Sequence, residues 1–148
     1  MKELYVVDTN AIIATFPDVF HRTHNYSPNI IRKIKSAIFD DFSRIRISIP
    51  SVVFLELHDK FCKSEEITSK IFYEVFFPIK DSNFIEIRSL DKELIEIVLQ
   101  LDGVLTNHDM HDKIIYSTAV ILNCCLISSD SVLKENNLKT KMIPNIIS

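Results

Sequence analysis

Short apolar runs alternate with stretches of helical periodicity from one end of this sequence to the other, and that alternation leaves few folds open. Leu4-Tyr5-Val6-Val7 is apolar throughout, as suits a parallel strand covered on both faces. Ile45-Arg46-Ile47-Ser48-Ile49, Phe84-Ile85-Glu86-Ile87 and residues 124–128 read as further strands, with an edge strand near 141–143. Between them lie helical stretches. Residues 11–14 look helical, and Ser27-Pro28 pairs a capping Ser with Pro at the first helical position. Ile30, Ile31, Ile34, Ile38 and Phe42 then keep helical spacing. A helix opens at Pro50-Ser51 and runs to about Cys62, and another covers 67–76. Leu94, Ile95, Val98, Leu99 and Leu101 mark an amphipathic helix, followed by helices over 113–123 and, briefly, 132–135. Residues 16–27 hold Pro17, His21, His24, Asn25 and Ser27 and read as a loop, the segment expected to move most. The expectation is an α/β fold: a three-layer α/β/α sandwich around a mainly parallel sheet.

The chain has 148 residues and shows no linker, repeat or low-complexity tract, so residues 1–148 are expected to form a single domain. Gly103 is the only glycine, which excludes glycine-rich phosphate loops and dinucleotide fingerprints. Cys62, Cys124 and Cys125 read as reduced thiols. No signal peptide precedes the first strand, and no apolar run approaches the ~18 residues needed to span a bilayer. The expectation is a soluble cytoplasmic protein without a membrane partner. The net charge of −3 neither advertises nucleic-acid binding nor forbids it, since acids can be masked by metal.

Asp8 follows the first apolar run directly, and Asp130 closes Leu126-Ile127-Ser128-Ser129-Asp130. In open parallel sheets, ligands bind at the carboxyl ends of strands. Glu56 interrupts the apolar stretch Val52-Val53-Phe54-Leu55-Glu56-Leu57, and Asp112 precedes the apolar helical pattern at Ile114-Ile115. Each acid also has a plain reading. Asp8 can cap a helix, Glu56 can lie at a solvent edge, and Asp112 can answer a helix dipole. Together they can converge at one edge of a parallel sheet. Like charges within about 4 Å repel by roughly 1–4 kcal/mol per pair, so such a cluster calls for a cation. All-oxygen ligands favour a hard ion, Mg²⁺ or Mn²⁺. Asn10 and Ser128 are placed to hydrogen-bond the carboxylates, as is Asp109 beside Asp112.

Four segments in order resemble the motifs of PIN-domain nucleases. Val6-Val7-Asp8-Thr9-Asn10 is similar to their opening motif, and Pro50-Ser51-Val52-Val53-Phe54-Leu55-Glu56-Leu57 to their second. His108-Asp109-Met110-His111-Asp112-Lys113-Ile114-Ile115-Tyr116-Ser117-Thr118-Ala119 resembles the third, and Leu126-Ile127-Ser128-Ser129-Asp130 the fourth. The resemblance covers nearly the whole chain. It implies Mg²⁺- or Mn²⁺-dependent RNA cleavage, with Asp8, Glu56, Asp112 and Asp130 as catalytic residues and metal ligands. It further implies a VapC-type toxin neutralised by a small antitoxin protein; the sequence leaves the oligomeric state open, a homodimer among the options. In that reading Asp8, Asp112 and Asp130 hold the ion while Glu56 orients or deprotonates water. Lys60 and Lys113 are the foremost phosphate contacts, with Lys33 and Lys35 as further candidates. Lys113 stands where many relatives carry Arg, and the stretch 16–44 is long for the pattern.

Other chemistries fit less well. His21-x-x-His24 and His108-x-x-His111 have zinc-like spacing, but no Cys-x-x-Cys partners them. No nearby His is placed to activate Cys124 or Cys125 as nucleophiles. An aspartyl-phosphate phosphatase needs a second Asp two residues after the first, where Asn10 stands. The alternatives kept open are an RNA-processing nuclease without an antitoxin and a catalytically silent nucleic-acid-binding module.

Overall fold

The first apolar run forms β1 (Glu3–Val7), and its last three residues are buried in succession. Successive strand residues point to opposite faces, so this burial means that both faces of the sheet are covered. In the computed structural model, which describes residues 2–148, the rest of the chain is built around β1. Met1, the first residue of the expected domain, lies outside the described residues.

β2 (Ile45–Pro50), β3 (Ile85–Arg88), β4 (Cys125–Ile127) and β5 (Ile146–Ile147) complete a five-stranded sheet of order β3-β2-β1-β4-β5. Every pairing is parallel, with Val6 opposite Ser48 on one side of β1 and Leu126 on the other. The chain first moves outward from β1 to β3, then returns to place β4 on the other side of β1. The strand order therefore reverses between β1 and β4. Helices cover the sheet on both faces, which makes the α/β/α sandwich expected from the alternation of elements.

α1 (Thr9–Thr15) follows β1, and α3 (Pro28–Phe39) begins where Ser27 and Pro28 predict, with the Ser27 hydroxyl accepting from Ile30 N–H at 3.3 Å. α4 (Val52–Phe61) follows β2, and Pro50 ends that strand instead of opening the helix. α7 (Lys92–Leu101) and α8 (Met110–Leu122) pack together, and α8 lies against β1, β2 and β4.

Four expectations need correction. The 16–27 stretch is not all loop: Pro17 starts α2 (Pro17–Phe20), whose Phe20 ring packs 4.7 Å from that of Phe61. His21 at φ 52° ends it. The helix expected over 67–76 runs on, as α5 (Glu65–Lys70), a π-helical turn (Ile71–Phe76) and α6 (Phe77–Asp81). Pro78 explains the wider turn: it offers no N–H to the carbonyl four residues back, and its ring would strike it in a regular helix.

The short helix at 132–135 is in fact α9 (Ser131–Thr140). Its buried positions are Leu133 and Asn137, so the apolar repeat fades at a polar residue although the helix continues. The edge strand at 141–143 does not form. The Asn137 side chain takes both backbone groups of Ile143, each at 3.2 Å, and Tyr116 donates to the same amide at 2.8 Å. The chain joins the sheet only at β5, beside β4. The cysteines are free thiols, with Cys124 buried and the other two half-buried. Among the described residues no helix is long and apolar enough to cross a membrane.

Candidate functional site

Crossover helices run antiparallel to the strands they join, so a helix that follows a strand, like one that leads into the next strand, starts level with the strands' carboxyl ends. This rule gathers the four acids. Asp8 and Asp130 follow β1 and β4, on either side of the point where strand order reverses. Glu56 sits in the second turn of α4 and Asp112 in the first turn of α8. The reversal point of an open parallel sheet is its natural crevice.

Asp8 is 8% exposed and caps α1. Its Oδ1 accepts from Ala11 N–H at 2.8 Å and from the Tyr26 hydroxyl at 3.0 Å. Burial raises its carboxyl above the usual range. Hydrogen bonds from Ser128, Ala11 and Tyr26 counter the shift, and the charge of Glu56 adds to it. Glu56 accepts from the Thr9 hydroxyl and pairs with Lys60 at 2.9 Å. Asp112 is pushed up to about 6, first by burial and then by Asp109, Asp130 and Glu56, against a smaller opposing effect of His108. Asp130 caps α9, its Oδ1 accepting from Val132 and Leu133 N–H at 2.9 and 3.0 Å. Its other oxygen stands 3.5 Å from His108 Nε2.

The four acids thus share one electrostatic neighbourhood, with Glu56 acting on both Asp8 and Asp112. Their capping roles coexist with this arrangement: Asp130 caps through Oδ1 and leaves Oδ2 toward His108. Among the described residues no three Asp, Glu, His or Cys side chains stand close enough to ligate one ion together. The donor chemistry nevertheless suits a hard divalent ion. The donors are oxygens, and a cation offsets both the burial that chiefly raises Asp112 and the neighbouring negative charges that add to it. Binding such an ion would require these side chains to draw inward.

Ser128 is fully buried; its Oγ accepts from Asp130 N–H at 3.1 Å, and it is among the groups that hold the Asp8 carboxyl down. Asp109 caps α8 by accepting from Asp112 N–H at 2.9 Å, which fixes the turn that carries Asp112. Asn10 departs from expectation. It is exposed and lines a cavity beside the site, with no hydrogen bond to the acids among the described residues. Lys113 pairs with Asp102 at 2.6 Å. Lys33 pairs with Glu3 at 2.7 Å, at the opposite end of β1 from Asp8, so it does not reach this site.

Tyr26 escaped the sequence reading, and Thr9 and His108 entered it only as motif members, without a role beside the acids. Tyr26 is 5% exposed and bridges two ends of the site, donating to Asp8 and accepting from Ser129 N–H at 3.2 Å. Burial and the Asp8 charge raise its phenol well above the ordinary value. The sole hint was an aromatic residue in an otherwise polar stretch, just before the Ser27 cap. Tyr26→Phe deprives Ser129 N–H of its acceptor and Asp8 of a donor. It is expected to cost about 1–2 kcal/mol. That is a fall of roughly 2–8 °C in Tm for a chain of this size. An unchanged thermal melt would show that the bridge carries no weight.

No family model matches this chain, and no curated protein matches it. Solved structures do. One is the crystal structure of VapBC2 from Rickettsia felis bound to a DNA fragment from their promoter, at a TM-score of 0.60 and 21% identity, covering 97% of this chain and 96% of that one. Another is FitAcB from Neisseria gonorrhoeae, at a TM-score of 0.65 and 12% identity with the same coverage. At these identities the likeness shows the fold alone. The family resemblance drawn from the four motifs is corrected accordingly. With no matching family model, and with neighbours known as VapBC2 and FitAcB complexes, membership of the PIN-domain nucleases or the VapC-type toxins is not upheld.

Proposed function

We propose that the chain is a metal-dependent endoribonuclease that hydrolyses RNA phosphodiester bonds and is held in check by a protein partner, as the toxin of a toxin–antitoxin pair. One observation carries the reading: Asp8, Glu56, Asp112 and Asp130 all lie at the carboxyl edge of the sheet, around the crevice where strand order reverses, and Asp112 is raised to about 6 by burial and its acidic neighbours. The likeness in fold to chains from VapBC2 and FitAcB complexes supports the partner-controlled role.

Asp8, Asp112 and Asp130 would hold Mg²⁺ or Mn²⁺, with Glu56 contributing on one side. The bound ion supplies positive charge for the scissile phosphate and lowers the pKa of water. Glu56 orients the attacking water and accepts its proton. One P–O bond forms from that water and one breaks, and the leaving oxygen takes up a proton. Ser128 and Tyr26 hold Asp8 in place, and Asp109 fixes the turn that bears Asp112. Lys60, paired with Glu56 at 2.9 Å, is the cation best placed to meet a phosphate.

The test is induction in a host that lacks the neighbouring gene, alongside cleavage of labelled RNA by purified protein. Growth arrest, rescue by co-expression of the neighbour, and RNA cleavage that stops in chelator are the expected results. Undisturbed growth with good expression and proven cleavage assigns a processing nuclease without an antitoxin. A second reading, a silent nucleic-acid-binding module, draws on the absence of a preformed three-ligand group among the described residues. RNA binding without cleavage in either metal would select it.

A further inference from the structure

The segment 21–27 does more than join α2 to α3. Together with α1 and the end of α4 it encloses a cavity of about 480 Å³. That is within the ~300–1,000 Å³ range of small-ligand pockets. The cavity touches the carboxylate site through two shared walls: Tyr26, which donates to Asp8, and Lys60, which pairs with Glu56. A group seated there lies one side chain away from the acids.

The lining is built for an anion with polar edges. Arg22 holds its guanidinium 5.4 Å from the centre of the Phe61 ring, and no carboxylate among the described residues pairs with it. An exposed guanidinium fixed over an aromatic face keeps its donor edge free for phosphate. His24 accepts Tyr26 N–H on Nδ1 at 3.1 Å, so in the neutral ring the proton sits on Nε2 and is available to a ligand. Asn25 adds an amide with donors and an acceptor, and it makes no hydrogen bond among the described residues.

We propose that this cavity is a subsite for one nucleotide of single-stranded RNA, next to the phosphodiester presented to the carboxylates; the inference rests on the nuclease reading above. Arg22 takes the nucleotide's phosphate, while Asn25 and His24 meet its sugar and base edges. A duplex cannot place a stacked and paired nucleotide in such a recess, whereas an unpaired strand can splay one out.

Binding of a short, labelled, mixed-sequence single-stranded RNA, followed by fluorescence anisotropy in Ca²⁺, tests this apart from cleavage. Arg22→Gln is expected to raise Kd about tenfold, as for loss of one charge-assisted contact. It should also lower the slope of log K against log salt by about 0.7. Asn25→Ala should raise Kd several-fold without changing the slope, and it guards against a folding defect in Arg22→Gln. Arg46→Gln, which removes a guanidinium stacked on Phe84 near the other end of β2, should leave binding unchanged. Wild-type affinity in both Arg22→Gln and Asn25→Ala overturns the subsite, as does equal affinity for a blunt RNA duplex. Arg22-dependent binding without cleavage keeps the subsite and removes the nuclease reading. Cleavage that ignores both substitutions does the reverse.

Discussion

Asp8→Asn is expected to lower RNA cleavage at least ~100-fold, about 2.7 kcal/mol in the barrier. The substitution is chosen because it isolates charge. The Asn side chain keeps an oxygen where Asp8 Oδ1 accepts Ala11 N–H and the Tyr26 hydroxyl, so the cap of α1 and the Tyr26 bridge survive. Asp8→Ala would also remove the cap, at a typical cost of about 1 kcal/mol, and would blur the result. What Asp8→Asn loses is the negative charge at the carboxyl end of β1, in the crevice between β1 and β4. Single-turnover cleavage of a labelled RNA in Mn²⁺ measures the effect, with a thermal melt to confirm folding. Wild-type rates in a folded Asp8→Asn protein would sink the proposed mechanism.

Asp112→Asn is expected to stabilise the metal-free protein at pH 7 and to reduce its response to Mg²⁺. The folded-state pKa of Asp112 is raised from 3.8 to about 6, led by burial and reinforced by Asp109, Asp130 and Glu56. A raised carboxyl pKa means that the folded state holds a proton the unfolded state has released. The stability linked to that proton is full below about pH 4 and is lost as pH rises through about 6. Two pKa units correspond to about 3 kcal/mol. Screening at this half-buried position reduces the effect to about 1–2 kcal/mol. The substitution should therefore raise Tm in chelator by roughly 2–8 °C at pH 7. The gain should vanish near pH 4. Mg²⁺ should then stabilise wild type more than the variant. Equal melts across this window, with no Mg²⁺ effect in wild type, would mean that the acids do not act as a cluster.

Much of the arrangement follows from local pattern. A run such as Leu4-Tyr5-Val6-Val7 can be satisfied only with both faces covered, so a parallel sheet and its helices were legible without coordinates. Given such a sheet, Asp8 and Asp130 had to fall at strand ends, and the helix that carries Asp112 had to start at the same edge. Ser27-Pro28 marked its helix because capping depends on a few adjacent residues.

Tertiary structure alone decided the rest, because the deciding contacts join residues far apart in the chain. Tyr26 meets Asp8 and Ser129 only after the 21–27 segment folds back over the sheet, and no periodicity encodes such a return. The Thr9 hydroxyl finds Glu56, 47 residues away, only when α1 and α4 lie side by side. Lys33 stands among the further candidates for a phosphate contact, yet the direction of α3 carries it to Glu3 at the wrong end of the sheet. α9 outran its apolar signal because a buried Asn replaces an apolar residue at position 137, and that same side chain holds Ile143 out of the sheet and delays β5 to Ile146. A one-dimensional pattern reports which face of an element is buried. Which partner waits on that face is set by the packing of the whole chain.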